Sequence, residues 1–178
     1  ALLDSGGGTC RIYEGVYGAG KTHLLDLITS LALRKGMAVV RNDLSQGVNL
    51  DNWKGIVTNI LGEMVVNVEG QKVRSLPRIL EALSDNKSGL GTRIRKKRFP
   101  HSGFSTAMAT YLDRTSAPRG LELLERYLEG ERIGALMLRD QRIEGVSDPL
   151  SKRNAEQVLA TVVAAFAEVD IPGCIVLF

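Results

Sequence analysis

The chain is poor in several features that would assign it to a special class of protein. Two of its 178 residues are cysteine, 5% are aromatic, and the formal net charge is only +3. Two thiols do not make a disulfide framework, so Cys10 and Cys174 are expected to be small buried side chains in a reducing compartment. So small a charge does not by itself indicate a nucleic-acid-binding protein.

Long apolar runs are missing as well. No stretch approaches the roughly 20 apolar residues that a helix needs to cross a bilayer. The first residues do not combine a basic stretch with an apolar run, as a signal peptide would. We therefore expect a cytoplasmic protein with no membrane partner. A chain of 178 residues is long enough to bury one substantial core.

What the chain does contain is a glycine-rich segment, Gly-Val-Tyr-Gly-Ala-Gly-Lys-Thr at positions 15–22, which fits the phosphate-loop pattern G-x-x-x-x-G-K-[ST]. Its glycines would let backbone N–H groups converge on phosphates, and the next helix would add its positive end. Lys21 would reach the β- and γ-phosphates, and the Thr22 hydroxyl would ligate the bridging Mg²⁺. The predicted nucleotide-binding residues are Gly15, Val16, Tyr17, Gly18, Ala19, Gly20, Lys21, Thr22 and His23, with Thr22 as metal ligand.

The flanks of this segment fit a strand and a helix. Residues 9–14 are β-prone, and the apolar spacing of residues 24–32 is helical, with Gly36 placed to end the helix. Residues 37–41 predict a second strand, parallel to the first because a helix connects them. The apolar run 174–178 predicts a last strand, buried on both faces at the centre of the sheet.

Helices are expected over 49–66, 76–83, 103–112, 118–128 and 151–169. Asn49 or Asp51 would cap the first of them, and Trp53 is a packing residue. The sequence therefore predicts an α/β fold, with a parallel sheet, helices on both faces and a long helical insertion. Its predicted parts are residues 1–48 (the strand, loop, helix and strand), 49–147 (the mainly helical insertion) and 148–178 (a helix and the last strand).

Two charged segments have two interpretations each. The basic run Arg93 to Arg98 could contact nucleic-acid phosphates, with Phe99 stacking on a base, or it could be a solvated basic helix end. Arg139, Asp140 and Arg142 could include an arginine finger for a neighbouring subunit's nucleotide, or they could form a salt-bridged surface.

A phosphate-binding loop also needs an acidic partner, the Walker B aspartate, at the end of a neighbouring apolar strand. No carboxylate follows the last strand before Phe178, so we expect the natural protein to continue with acidic residues, and the catalytic residues stay unknown. Asp43 could hold a magnesium-bound water or form a turn. ATP is the expected nucleotide, because Gly89 stands where the guanine-specifying Asn-Lys-x-Asp pattern has aspartate.

Residues 14–25 resemble the Gly-x-Tyr-Gly-x-Gly-Lys-[Ser/Thr]-His signature of BrxD-type ATP-binding proteins of bacteriophage exclusion (BREX) systems. Tyr17 and His23 distinguish this signature from a general Walker A loop, and residues 39–44, 124–133 and 173–178 match more loosely. The resemblance implies an AAA+-like P-loop ATPase of a phage-defence assembly, with ATP and Mg²⁺ as cofactors. It leaves open homo-oligomerisation and contacts with DNA or with defence-complex proteins.

Three functions are compatible with these patterns. The first is an ATP-binding domain that hydrolyses ATP in the full-length protein. The second is a P-loop kinase acting on a small molecule, and the third is a regulator that binds ATP without hydrolysing it. His23 would lie near the phosphates or cap the first turn of its helix.

Overall fold

A four-stranded sheet and eight α-helices make up the part of the chain that the computed structural model describes, which is residues 11–42, 51–86, 89–114, 116–146 and 149–178. The helices are α1 (Lys21–Arg34), α2 (Trp53–Glu63), α3 (Leu76–Asn86), α4 (Leu90–Lys96), α5 (Ser102–Leu112), α6 (Pro118–Leu128), α7 (Ala135–Asp140) and α8 (Ala155–Phe166), which a 3-10 turn over Ala167–Val169 continues. The strands are β1 (Ala38–Arg41), β2 (Val65–Val68), β3 (Gln71–Arg74) and β4 (Cys174–Leu177).

The sheet is mixed, with the strand order β3-β2-β1-β4. The predicted second and last strands are adjacent and parallel, with Ala38 opposite Cys174. By contrast, β2 runs antiparallel to both β1 and β3. The wholly parallel sheet of the prediction is therefore not what the described strands form. In the described order β4 lies at an end, and its residues are half-buried, whereas the prediction placed it in the centre.

Two expected elements differ from those observed. A strand was predicted over residues 9–14, but its described part, residues 11–14, is exposed and pairs with none of the described strands, while residues 9 and 10 lie outside the described residues. The helix expected over 49–66 ends at Glu63, where Met64 turns to an extended ψ of 133° and leads into β2. Its N-cap is Asn52, whose side-chain oxygen accepts a hydrogen bond from the Gly55 N–H at 3.1 Å.

Other elements lie close to their predicted positions. Helix α6 begins and ends where the sequence placed it, with Pro118 in its first turn, and α5 begins one residue early. Helix α3 begins at the predicted residue and runs three residues further. Proline in the first turn of a helix costs no helical hydrogen bond. This explains why the sequence predicted the starts of α3, at Pro77, and of α6, at Pro118.

The side chains of β1 alternate between two apolar clusters, as a strand's two faces require. Ala38 and Val40 face the main core, which the sheet shares with the helices that follow β1. Val39 faces a smaller cluster that includes Ala32 and Leu33 of α1. Helices thus cover both faces of the sheet, as predicted.

The thiol of Cys174 also lies against the main core, and burial raises its pKa to about 11. This agrees with the expected small buried side chain, while Cys10 lies outside the described residues. Within the described helices, none is both long enough and apolar enough to cross a membrane.

Candidate functional site

The glycine-rich loop, residues 15–22, runs directly into α1, which begins at Lys21. Its turn is closed by a hydrogen bond of 3.2 Å from the Ala19 N–H to the Val16 carbonyl. Gly18 and Gly20 have φ angles of +81° and +79°, in the left-handed region. Glycine adopts this conformation without the steric cost that a Cβ imposes, so the loop's path depends on these two glycines.

The N-terminus of α1 offers backbone donors with no partner inside the helix. The first helical bond runs from the Leu24 N–H to the Gly20 carbonyl at 3.0 Å, so the N–H groups of Lys21, Thr22 and His23 come before it. Gly20 is the N-cap residue, and no side chain caps this end in the described structure. An anion placed there would meet these donors and the positive end of the helix dipole. The capping role considered for His23 is therefore not observed.

Lys21 folds back over the loop. Its Nζ donates hydrogen bonds to the carbonyls of Gly15 and Val16, at 2.6 and 2.9 Å. Both bonds are exposed to solvent, so exchanging them for an anion removes little net stability. The ammonium group is thus held beside the same turn that carries the unpaired backbone donors.

An ion pair fixes the position of the loop relative to the sheet. Asp26, in the second turn of α1, pairs with Arg41, the last residue of β1. Lys21 is five residues earlier in the helix, which corresponds to about 7.5 Å along its axis. The loop therefore lies on the side where β1 ends, and the parallel strand β4 ends on this side too. Open α/β sheets bind ligands at this edge.

Two residues are predicted to lie near magnesium, Thr22 and Asp43. Asp43 lies outside the described residues, and the side chain of Thr22 is exposed beside the loop. Across the described ranges, no group of three histidine, cysteine or acidic side chains could hold a metal ion. Thr22 as a magnesium ligand therefore remains a prediction.

The second predicted charged segment lies on α7 and the turn after it. Asp140 and Arg142 line a cleft of about 550 Å³ together with Arg95 and Glu144. This lining carries charges of both signs, and both interpretations of Arg139, Asp140 and Arg142 stay predictions.

The basic run is largely a helix end. Arg93, Arg95 and Lys96 form the last turn of α4, where cations interact favourably with the helix dipole. Arg95 pairs with Asp113 at 2.7 Å, and Lys97 pairs with Glu168. The Phe99 ring packs against the main core rather than standing ready to stack on a base. The structure therefore favours the second of the two interpretations.

A second concentration of positive charge occurs at a place that no sequence pattern predicts. We call it the basic cleft, a depression of about 700 Å³ between the starts of α2, α5 and α8. Its four cationic residues come from three separate segments of the chain. They are Lys54, Arg132, Lys152 and Arg153. Because no two segments are close in sequence, no motif or charge run could have revealed them.

Comparison with known families concerns the first half of the chain. Residues 1–86 match the model of the BREX system ATP-binding protein BrxC/D family. Over these residues the chain is similar to the BrxC/D family. The resemblance predicted from Tyr17 and His23 is thereby confirmed, and the match includes the whole loop and the elements from α1 to α3. No curated protein and no solved structure matches this chain.

The family match supplies the ligand class for the loop geometry. The family that matches residues 1–86 is described as ATP-binding proteins of BREX systems. The loop is the part of this region in which unpaired backbone donors, an ammonium group and the ligand-binding edge of a sheet coincide.

Proposed function

We propose that residues 15–22 form a Walker A loop that binds the β- and γ-phosphates of ATP. One observation carries the proposal. The Lys21 ammonium is hydrogen-bonded to two carbonyls of the loop, and the helix that follows the loop begins with three N–H groups that have no partner inside the helix. The family match over residues 1–86 supports ATP as the nucleotide.

The chemistry of binding follows from the groups present. The N–H groups at the start of α1 would donate to phosphate oxygens, and Gly18 and Gly20 would keep Cβ atoms out of the path of the anion. Lys21 would exchange its two carbonyl acceptors for the β- and γ-phosphate oxygens. Thr22 would supply a hydroxyl ligand to Mg²⁺, which when bound neutralises charge on those phosphates.

We further propose that the full-length protein is an AAA+-like ATPase. Hydrolysis needs a carboxylate that holds the magnesium and another that activates water, and both would act at the edge where β1 and β4 end. Asp43, just after β1, is an acidic residue that the sequence places at this edge. The resemblance to BrxD-type ATPases motivates this step.

Removing the loop's cation tests the binding proposal. We expect Lys21→Ala to weaken Mg·ATP binding about 10- to 100-fold, because one charge-assisted contact is worth about 1.5–3 kcal/mol. Isothermal titration calorimetry measures it. Lys35→Ala, which removes the same charge at the other end of α1, is the matched control and should retain wild-type affinity. Equal affinities for the two variants would refute the assignment.

Turnover assays on the full-length protein separate the three functions. Phosphate release from ATP, measured with and without DNA, is expected for a motor or switch. Tight ATP binding without release would instead identify a regulator. Release only in the presence of a small-molecule acceptor would identify a kinase. Asp43→Asn should slow release without weakening ATP binding if Asp43 acts in hydrolysis, and unchanged release would exclude it.

A further inference from the structure

The basic cleft is separate from the residues assigned to ATP. Its walls come from the start of α2, from the segment after α6 and from the segment before α8. They place the side chains of Lys54, Arg132, Lys152 and Arg153 around one depression of about 700 Å³. No carboxylate occurs among the described residues that line it. A cleft with charges of one sign and low-dielectric walls concentrates counter-ions of the opposite sign.

Within the part of the chain that the structure describes, none of these four cations forms an ion pair. The acid next to Arg132 in the chain, Glu131, is already bound by Arg126, whose Nε lies 2.7 Å from its Oε2. The hydrogen bond from Arg126 lowers the pKa of Glu131, so this carboxylate stays committed to that partner.

A buried polar network supports the base of the cleft. His101 is only 6% exposed, and its Nδ1 accepts a hydrogen bond from the Phe104 N–H at 2.9 Å, which caps α5. Its Nε2 lies 3.0 Å from Nδ2 of Asn154, the residue before α8. The Asn154 Oδ1 accepts the Ser151 N–H at 2.7 Å. The backbone N–H of His101 donates a hydrogen bond to Oγ1 of Thr161 in α8 at 2.9 Å, and this buried bond joins the start of α5 to α8.

The start of α8 adds backbone donors to this cationic lining. Because the Asn154 side chain bonds back to Ser151, it does not cap α8, and the helix's first bond runs from the Val158 N–H to the Asn154 carbonyl. Glu156, the acid of this first turn, is not part of the cleft lining. The four cations and the N-terminus of α8 both favour an anionic ligand.

The lining also narrows the kind of anion. The cleft is much larger than one phosphate group, and its cations come from separate walls, which suits several phosphates in a row. The described residues that line it include no phenylalanine, tyrosine or tryptophan, the side chains on which the bases of single-stranded nucleic acids stack. Contacts from lysine and arginine to the phosphate backbone, without base contacts, suit a duplex.

We propose that the basic cleft binds the phosphate backbone of double-stranded nucleic acid, independently of base sequence. It does so with the four cations that face the depression. Binding there does not require nucleotide in the loop, because none of the cleft residues belongs to residues 15–22.

Salt-dependent binding of a short duplex tests the proposal. We expect the 178-residue chain to bind a fluorescein-labelled 20-base-pair DNA, measured by anisotropy, with a logarithmic salt slope of about −3.6 if all four cations contact phosphates. Lys152→Ala/Arg153→Ala should reduce the slope to about −1.8. The same relation predicts about 60-fold weaker binding at 0.1 M salt.

The matched control uses the basic run. Arg93→Ala/Arg98→Ala removes the same charge from exposed residues outside the cleft and should change affinity much less. Equal losses in the two double variants would show that binding follows net charge, which would overturn the proposal. Should the first variant be unstable, Lys54→Ala/Arg132→Ala tests the other walls with the same expectation.

Two further arms separate the ligand classes and the two proposals. Unlabelled duplex should displace the probe, whereas an equal phosphate concentration of tripolyphosphate or single-stranded DNA should not. Displacement by tripolyphosphate would reassign the cleft to free phosphate compounds and reject the duplex. Lys21→Ala should keep full duplex affinity while losing ATP affinity, so each proposal can fail without the other.

Discussion

The glycine-rich loop and the basic cleft are both candidate phosphate sites, but they are built in opposite ways. The loop is eight consecutive residues, its side chains are exposed, and its shape comes from its own backbone. The cleft takes cations from three distant segments and lies beside the buried hydrogen bond between His101 and Thr161. A site encoded in the backbone of one segment can be recognised in sequence, whereas one that depends on packing cannot.

The two sites should therefore respond differently when packing is disturbed. The loop is connected to the rest of the fold mainly through α1, which covers the smaller cluster, and through the pair Asp26 and Arg41. The cleft lies on helices of the main core. Weakening the main core should damage the cleft first, and weakening the loop backbone should affect ATP alone.

The largest effect is expected from Phe104→Ala. Phe104 is fully buried in α5, and its ring centroid lies 5.8 Å from that of Tyr127. Removing a buried phenyl ring leaves a cavity and costs about 3–5 kcal/mol in the free energy of unfolding, which urea denaturation measures. Phe178→Ala, at a ring that is 46% exposed, is the control and should change stability by about 0.5 kcal/mol or less.

Both sites can be read in the same Phe104→Ala protein. The measurement is made at a temperature where the variant is folded. Duplex affinity should fall because Phe104 lies in the first turn of α5, the helix that His101 caps. ATP affinity should stay at the wild-type level. Equal losses at both sites would show that the loop depends on the main core as much as the cleft does.

The accuracy of the sequence interpretation follows the same division between local and distant causes. Helix α6 was predicted at both ends because Pro118 starts it and Gly130, with φ of +90°, follows it. Strands β1 and β4 were predicted from two short apolar runs, but their pairing with each other was not predicted. Proline, glycine and apolar spacing act on the chain locally, so the elements that they determine can be predicted before the fold is known.

The hairpin of β2 and β3 was missed because its first residues extend the apolar pattern of α2. Val65 and Val66 fit a helical stripe as well as a strand, and only pairing with Val39 and Val73 distinguishes them. A turn signal was present in the sequence at positions 69–70, where Glu-Gly adopts positive φ in the structure. The β-branched residues Val65, Val66 and Val68, followed by that turn, are compatible with a hairpin.

The basic run shows the opposite failure, a local signal whose meaning depends on its neighbours. Five basic residues among positions 93–98 suggested a phosphate contact. In the structure Arg95 pairs with Asp113, just after α5, and Lys97 pairs with Glu168, in the 3-10 turn that continues α8. The four cations of the cleft are dispersed in sequence and have no ion-pair partner within the described residues. Charge density in space is a property that only folding reveals.

A middle-sized effect is expected from His101→Ala. The change removes the ring nitrogen that accepts the Phe104 N–H, and losing an N-cap acceptor costs about 1–2 kcal/mol in the free energy of unfolding. It also removes the ring that contacts Asn154 in the lining of the cleft. Duplex affinity should therefore decrease, while ATP affinity should not. His101→Asn restores a good capping side chain and should recover part of the stability. A variant in which asparagine rescues nothing would contradict the capping role.

The smallest effect should come from Gly20→Ala, which tests the loop at the level of its backbone. The added Cβ has open space around it, so the cost comes from placing alanine at φ of +79°. That cost is about 1 kcal/mol, and ATP binding, measured by calorimetry, should weaken about fivefold. Gly62→Ala in α2, also in open space, is the control and should slightly stabilise the protein without changing ATP affinity. If Gly20→Ala kept full ATP affinity, the loop would bind nucleotide in another backbone conformation. The shape of the bound loop would then not be determined by Gly18 and Gly20.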